Sequence, residues 1–182
     1  MYSAIAALVA EGDEVILFDP SYDSYAPAIR LNGGVPIHIN LAAPAFKIDW
    51  QEVRSKISSR TRAIIINTPH NPTGTVLSAS DLRELSVLAE AHDLLVISDE
   101  VYERIIFEDL SHESVLKYPS LRNRSVAVFS FGKTFHATGW KIGYTVANET
   151  LTREIRKAHQ FITFSVNTPI QHALAEYLAD PE

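Results

Sequence analysis

The chain has 182 residues, of which 46% are hydrophobic and 21% charged, and its formal net charge is −6. These values are typical of one globular domain with a sizeable core, and the scattered basic residues indicate neither a nucleic-acid-binding nor a membrane-binding surface. The absence of cysteine excludes a disulfide framework and a thiolate metal site and favours a reducing compartment, by default the cytoplasm. The seven histidines show no metal-ligand spacing.

Both ends of the chain suggest a piece of a larger protein. An apolar-periodic run at 2–9 predicts a helix that stops at Gly12, which we expect to be its C-cap. No N-cap and no signal peptide precede this run. A helical pattern at 173–178 is cut at Asp180-Pro181-Glu182. We therefore expect the chain to be a fragment.

Between these ends, short β-rich runs alternate with amphipathic stretches. The predicted strands are 15–18, 35–39, 63–67, 94–98, 126–129 and 142–147. The predicted helices are 22–32, 49–57, 79–92, 151–161 and 167–179. Ser78 or Ser80 is expected to cap the third of these helices. Apolar strands alternating with helices predict an α/β fold, with a mostly parallel sheet covered by helices on both faces.

The connection between strands 126–129 and 142–147 departs from this pattern. About a dozen residues lie between them and show no helical periodicity, whereas a parallel crossover usually contains a helix. These strands are expected to be antiparallel or not adjacent.

Polar side chains follow three successive buried strands. Strand 63–67 leads into "TPHNPTG", strand 94–98 into "DEVY" and strand 126–129 into "SFGK". Ligands of open α/β sheets bind outside the carboxyl ends of the strands. An amide, an acid, a phenol, a hydroxyl and an amine are therefore expected to meet in one crevice. Each could alone be an ordinary cap or turn, but three together favour a site.

The segments "NTPHNPTG", "VISDEVYERIIF" and "SFGKTFHATGWKIGY" resemble the fold-type I, class I/II aminotransferases that depend on pyridoxal 5'-phosphate. "FDPSYDSYAPAIRLNGGVP" and "HQFITFSVNTPIQHALAEYL" resemble the methionine and kynurenine aminotransferase subgroup. The resemblance extends over nearly the whole chain, in matching order and spacing. It implies that residues 1–182 are the central part of the cofactor-binding large domain, without its start and without the C-terminal small domain.

The resemblance also implies roles for individual residues. Lys133 matches the lysine that binds the cofactor covalently and later moves a proton at the substrate. Asp99 matches the acid that pairs with the pyridine nitrogen, and Glu100 is its rival, although strand neighbours point to opposite faces. Tyr102 and Asn71 match the pair that hydrogen-bonds the cofactor's phenolic oxygen.

Three further residues match cofactor contacts. Ser130 and Lys141 resemble the phosphate-binding residues, and many relatives outside this subgroup carry arginine in place of Lys141. Tyr22 matches the aromatic residue that stacks on the pyridine ring, with Tyr25 as the alternative.

The resemblance implies an aminotransferase that moves an amino group from an L-amino acid, of methionine or aromatic and kynurenine type, to a 2-oxo acid. It also implies a homodimer of the full-length protein. Two alternatives stay open: a carbon–sulfur β-lyase that uses the same lysine and acid, and a regulatory module without catalysis. Phe161, Phe164 and Val166 are expected to pack in the core, with the substrate pocket as the alternative.

Overall fold

A six-stranded sheet organises the protein, for which a computed structural model describes residues 1–107 and 109–179. The strands are β1 (Glu14–Asp19), β2 (Val35–Asn40), β3 (Thr61–Asn67), β4 (Leu95–Asp99), β5 (Ser125–Ser130) and β6 (Gly143–Ala147). The helices are α1 (Tyr2–Leu8), α2 (Tyr25–Leu31), α3 (Trp50–Lys56), α4 (Ala79–Ala91), α5 (Pro119–Arg122), α6 (Phe131–Thr134), α7 (Glu149–Ile162) and α8 (Thr168–Ala179). The six strands and helices α1 to α4, α7 and α8 lie within a few residues of predicted elements, whereas the one-turn helices α5 and α6 were not predicted.

The strand order is β2-β1-β3-β4-β5-β6. The first five strands run parallel, and β6 pairs antiparallel with β5, with Ser130 opposite Gly143. The mostly parallel α/β sheet is therefore confirmed, as is the antiparallel pairing of the last two strands. The connection between them contains the one-turn helix α6 and a 3-10 turn at Thr138–Trp140, which the missing periodicity did not indicate.

Two apolar layers cover the sheet, because alternate residues of each strand point to opposite faces. Ile64 and Ile66 of β3 pack in one layer with the α4 stripe, and Ile65 packs in the other with α1 and α2. The buried side chains of that α4 stripe are Leu82, Leu85, Leu88 and Ala89. Burial on both faces explains why the strands are continuous apolar runs.

Two helix ends depended on local hydrogen bonding. Ser78 is the cap of α4, since its hydroxyl accepts from the Asp81 N–H at 3.2 Å and the Asp81 carboxylate accepts from the Ser78 N–H at 2.8 Å.

The predicted C-cap at Gly12 is wrong. Helix α1 ends at Leu8, with Val9 extended. Gly12 instead uses its φ of +83° in the turn before β1, where its N–H donates to the Gly33 carbonyl.

The C-terminal part also departs from expectation. Phe161 and Phe164 are 87% and 84% exposed, so the prediction that they pack in the core is wrong. Both lie at or beyond the end of α7, whose buried residues are Leu151 and Ile155. The expected cut at Asp180-Pro181-Glu182 lies outside the described residues. Within the described ranges, no helix combines the length and apolar character needed to cross a membrane.

Candidate active site

The carboxyl ends of β3, β4 and β5 border a cavity of about 410 Å³. In the parallel register Asn67 lies opposite Asp99, and β5 continues two residues beyond Val128, the partner of Asp99, to Ser130. The expected convergence at one edge of the sheet is therefore present. All seven predicted site residues line this cavity: Tyr22, Asn71, Asp99, Tyr102, Ser130, Lys133 and Lys141.

The Asp99 carboxylate is the buried acid of the cavity, with 6% of the residue exposed. It accepts a hydrogen bond from the Tyr25 hydroxyl at 2.6 Å and one from the Val101 N–H at 3.3 Å. Burial raises the pKa of Asp99, and the hydrogen bond from Tyr25 opposes that rise. Glu100 points away from the cavity and accepts from the Ser98 hydroxyl at 2.8 Å. The geometry therefore favours Asp99 over Glu100 as the acid that faces a ligand.

An amine, a phenol and an amide lie close together on the same cavity. The Lys133 Nζ lies 5.4 Å from the centre of the Tyr102 ring. The Asn71 side-chain amide is 3.5 Å from the Tyr102 hydroxyl. A ligand between these groups could meet a nucleophile and two hydrogen-bond donors at once.

Asn67 is a site residue that the sequence analysis did not single out. Its side-chain oxygen accepts from the Asn71 N–H at 2.6 Å, and its amide donates to the Asp99 carbonyl at 2.9 Å. It therefore fixes the loop after β3 against the end of β4. Its position, as the last residue of a strand that leads into the site, was the available signal.

A close backbone approach places the two lysines on the cavity. A Cβ added to Gly132 would lie 2.9 Å from the Thr138 Cα, so only glycine allows the contact between α6 and the 3-10 turn. The Gly132 carbonyl accepts from the Ala137 N–H at 3.0 Å and from the Thr138 hydroxyl at 3.2 Å. Lys133 follows Gly132, and Lys141 follows the turn with a φ of +53°.

The two candidate aromatic residues have different environments. Tyr22 precedes α2 and is 43% exposed, whereas Tyr25 begins α2 and is 3% exposed. Their ring centroids are 5.5 Å apart in an edge-on arrangement. Tyr25 belongs to the apolar stripe of Ala28 and Ile29. That stripe was the sequence signal for its burial, whereas its bond to Asp99 left no signal in the local pattern.

A larger cavity, of about 640 Å³, lies between residues 134–140 and α8. Phe135, Trp140, Leu174 and Tyr177 contribute much of its lining. No carboxylate or amine of the described residues lines it. Its ionisable side chains are the His136 imidazole and the Tyr177 phenol, whereas the buried acid and both lysines line the smaller cavity.

The aminotransferase class I and II family model matches residues 1–182. The chain belongs to this family. Methionine aminotransferase of Escherichia coli (strain K12) is 57% identical over 183 residues, which are 100% of this chain and 47% of that protein. Human kynurenine–oxoglutarate transaminase 3 is 39% identical over 186 residues, which are 97% of this chain and 41% of that protein.

Solved structures of aminotransferases share this fold. The crystal structure of YbdL from Escherichia coli, a protein with a methionine aminotransferase function, superposes on this chain with a TM-score of 0.97 at 57% identity. The superposed region covers 99% of this chain and 48% of the YbdL chain. The chain thus spans about half the length of the curated relatives it matches.

Proposed function

We propose that the protein transfers an amino group from an L-amino acid to a 2-oxo acid, with pyridoxal 5'-phosphate bound at Lys133. The observation that carries this proposal is the convergence of an amine, a buried acid and a phenol on one cavity at the sheet edge. The relatives named above act as methionine and kynurenine aminotransferases. We therefore propose a donor amino acid of methionine or of aromatic and kynurenine type.

The polar groups of the cavity fit the cofactor's pyridine ring. Asp99 is a buried carboxylate that can hold a proton on the ring nitrogen, because the opposite charge favours the protonated form. Tyr102 and Asn71, 3.5 Å apart, can both donate to the ring's phenolic oxygen. Tyr22 lines the same cavity with a half-exposed aromatic ring that can stack on the pyridine.

The phosphate has its own candidate partners. Ser130 supplies a hydroxyl at the end of β5, and Lys141 supplies a cation across the same cavity. A lysine ammonium binds phosphate as a point charge, without the paired donors of arginine.

When bound, pyridoxal phosphate accepts electron density from the α-carbon of an attached amino acid. The residues of this chain prepare that chemistry. Lys133 would hold the cofactor covalently, and its amine could move a proton at the α-carbon of the substrate. Asp99 would favour the protonated ring nitrogen, and Tyr102 would stabilise negative charge on the ring oxygen.

We further propose that residues 1–182 are the central part of the large, cofactor-binding domain, and that the protein works as a homodimer in the cytoplasm. The exposed apolar side chains of Phe161, Phe164 and Tyr177 support a partner surface, and the absence of cysteine supports a reducing compartment. Sedimentation of the full-length protein tests the homodimer, and fractionation of its source cells tests the cytoplasmic location.

Replacing Lys133 tests the proposed function directly. In the full-length protein, Lys133→Ala should abolish the cofactor adduct that borohydride reduces, because no other amine is expected to attack the cofactor. Lys157→Ala removes an exposed lysine that bonds Glu154 at 2.9 Å and should leave the adduct intact. The measurement is peptide mapping after reduction, together with transfer of the amino group from methionine to a 2-oxo acid.

Three outcomes contradict parts of this proposal. A pyridoxyl group on Lys141 or Lys117 would reassign the lysine. Release of a thiol and ammonia from a sulfur-containing amino acid, without amino-group transfer, would favour the β-lyase. Absence of any adduct in the unmodified protein would favour a regulatory module.

A further inference from the structure

We propose that Tyr25 is a positioning residue, whose hydroxyl holds the Asp99 carboxylate charged and oriented toward the cofactor's ring nitrogen. This inference rests on the proposed function, because it assigns a partner to the acid of that same site. Tyr25 entered the sequence analysis only as an alternative to Tyr22 for stacking.

The hydrogen bond between Tyr25 and Asp99 is short and enclosed. Its O–O distance is 2.6 Å, and the two residues are 3% and 6% exposed. This length is typical of a hydroxyl that donates to a charged carboxylate, a bond stronger than one between neutral groups. The other donor to this carboxylate, the Val101 N–H, is 3.3 Å away. Tyr25 therefore provides the main restraint on the direction of the Asp99 side chain.

Helix α2 gives Tyr25 a rigid base. Tyr25 is the first residue of the helix, and Ala28 and Ile29 bury the same face against the sheet. The Tyr25 ring also meets the edge of the Tyr22 ring, with centroids 5.5 Å apart. One side chain thus contacts both the acid and the aromatic residue proposed to stack on the cofactor.

The electrostatics of the pair point in the same direction. Burial raises the pKa of Asp99, and the bond from Tyr25 is the largest influence that lowers it. Burial and the nearby Asp99 charge raise the pKa of Tyr25, so its phenol remains a donor throughout the neutral range. The other titratable side chains on the cavity are Tyr22, Tyr102, Lys133 and Lys141, while Glu100 points away.

Tyr25→Phe in the full-length protein removes the hydroxyl and keeps the ring. Without this donor, the Asp99 carboxyl should protonate at a higher pH, and a neutral acid no longer favours the protonated ring nitrogen. We expect an affinity for pyridoxal 5'-phosphate about tenfold weaker. The deficit should be largest at acidic pH and should shrink as the pH rises. The measurement is the dissociation constant from cofactor absorbance across the pH range.

Tyr118→Phe is the matched control. The Tyr118 hydroxyl also donates to a carboxylate, that of Glu113 at 3.0 Å, but neither residue lines the cavity. This variant should bind the cofactor with the same affinity and pH profile as the unmodified protein. A purely structural role for Tyr25 would lower the melting temperature without changing the pH dependence of binding.

The outcomes separate this inference from the proposed function. An unmodified protein without a reducible adduct overturns the proposed function and this inference with it. A normal adduct together with an unchanged affinity and pH profile in Tyr25→Phe overturns the inference alone. If Tyr25→Phe folds poorly, Tyr25→3-fluorotyrosine keeps the packing and makes the phenol a stronger donor. Its binding profile should then shift to lower pH, and an unshifted profile would contradict the inference.

Discussion

At the residue scale, Lys141 adopts a backbone conformation that lysine rarely takes. Its φ of +53° and ψ of +46° lie in the left-handed region, which costs a residue with a Cβ about 1–2 kcal/mol. Such outliers cluster at ligand sites, where the surrounding structure enforces them. Here the 3-10 turn at Thr138–Trp140 ends at Lys141, and the residue lines the cavity. The strained position therefore supports the proposed contact between its ammonium group and a phosphate.

Lys141→Ala should distinguish a phosphate contact from a general effect on the cavity. The variant should bind pyridoxal 5'-phosphate about tenfold more weakly, because a hydrogen bond to a charged group is lost. Its affinity for pyridoxal, which has no phosphate, should stay unchanged. Lys141→Arg keeps the charge and should retain most of the affinity for the phosphorylated form. Equal losses for the two ligands, measured by absorbance titration, would argue against the phosphate contact.

At the scale of elements, the end of β4 directs two adjacent carboxylates to opposite sides. Asp99 faces the cavity, whereas Glu100, with no exposed surface, binds the segment that follows the strand. Glu100 accepts from the Val115 N–H at 3.1 Å and lies 2.8 Å from the His112 Nε2. The Ser98 hydroxyl is a further donor to it. Glu100 therefore fixes residues 112–115 beneath the sheet edge that carries the site.

Glu100→Ala should destabilise the protein by about 3 kcal/mol or more, because several buried donors lose their acceptor at about 1–3 kcal/mol each. Glu100→Gln keeps an acceptor oxygen and should cost clearly less. Chemical denaturation gives the free energy of unfolding, and amide hydrogen exchange should accelerate at His112 and Val115. Similar stabilities of the alanine and glutamine variants would mean that this carboxylate does not anchor the segment.

At the scale of the whole molecule, a buried acid lies at each end of the parallel strands, and the pKa values of the two acids shift in opposite directions. Glu14 begins β1, far along the strand from the cavity, and accepts from the Ser58 hydroxyl and from the Arg60 Nε at 3.0 Å. These bonds lower the pKa of Glu14, and the bond from Ser58 has the largest effect. Burial at the cavity edge raises the pKa of Asp99. The charged form of Glu14 therefore stabilises the fold, whereas burial of the charged form of Asp99 opposes folding.

Because the pKa of Glu14 is lowered in the folded state, the free energy of unfolding should decline at acidic pH. The stabilisation is complete above the ordinary value of 4.5 and is lost as the pH falls through the lower pKa of the folded state. Glu14→Gln should therefore flatten the decline of the unfolding free energy between mildly and strongly acidic pH. Glu154→Gln alters an exposed pair with Lys157 and should leave the decline unchanged. An equal decline of the unfolding free energy at acidic pH in Glu14→Gln and in the unmodified protein would contradict this assignment.

Much of the fold was predictable because its signals are local. The period of apolar residues located all six strands, and the polar residues after three of them indicated the site edge. Helix ends were less predictable, as Gly12 shows, because the end of α1 depends on how the chain enters β1. The exposure of Phe161 and Phe164 also escaped prediction, since an aromatic residue near an amphipathic helix looks the same whether its face is covered or open.

The sequence by itself determined the alternation of strands and helices and the residue types at the strand ends, because backbone periodicity and strand direction place them without reference to distant contacts. Only the tertiary structure decided which side chains meet there. Tyr25 and Asp99 are 74 positions apart, and their bond depends on how α2 packs against the sheet. The contact of Gly132 with Thr138 likewise depends on two backbone segments approaching so closely that a Cβ on Gly132 would lie 2.9 Å from the Thr138 Cα. Such contacts are set by long-range packing, which local sequence patterns do not encode.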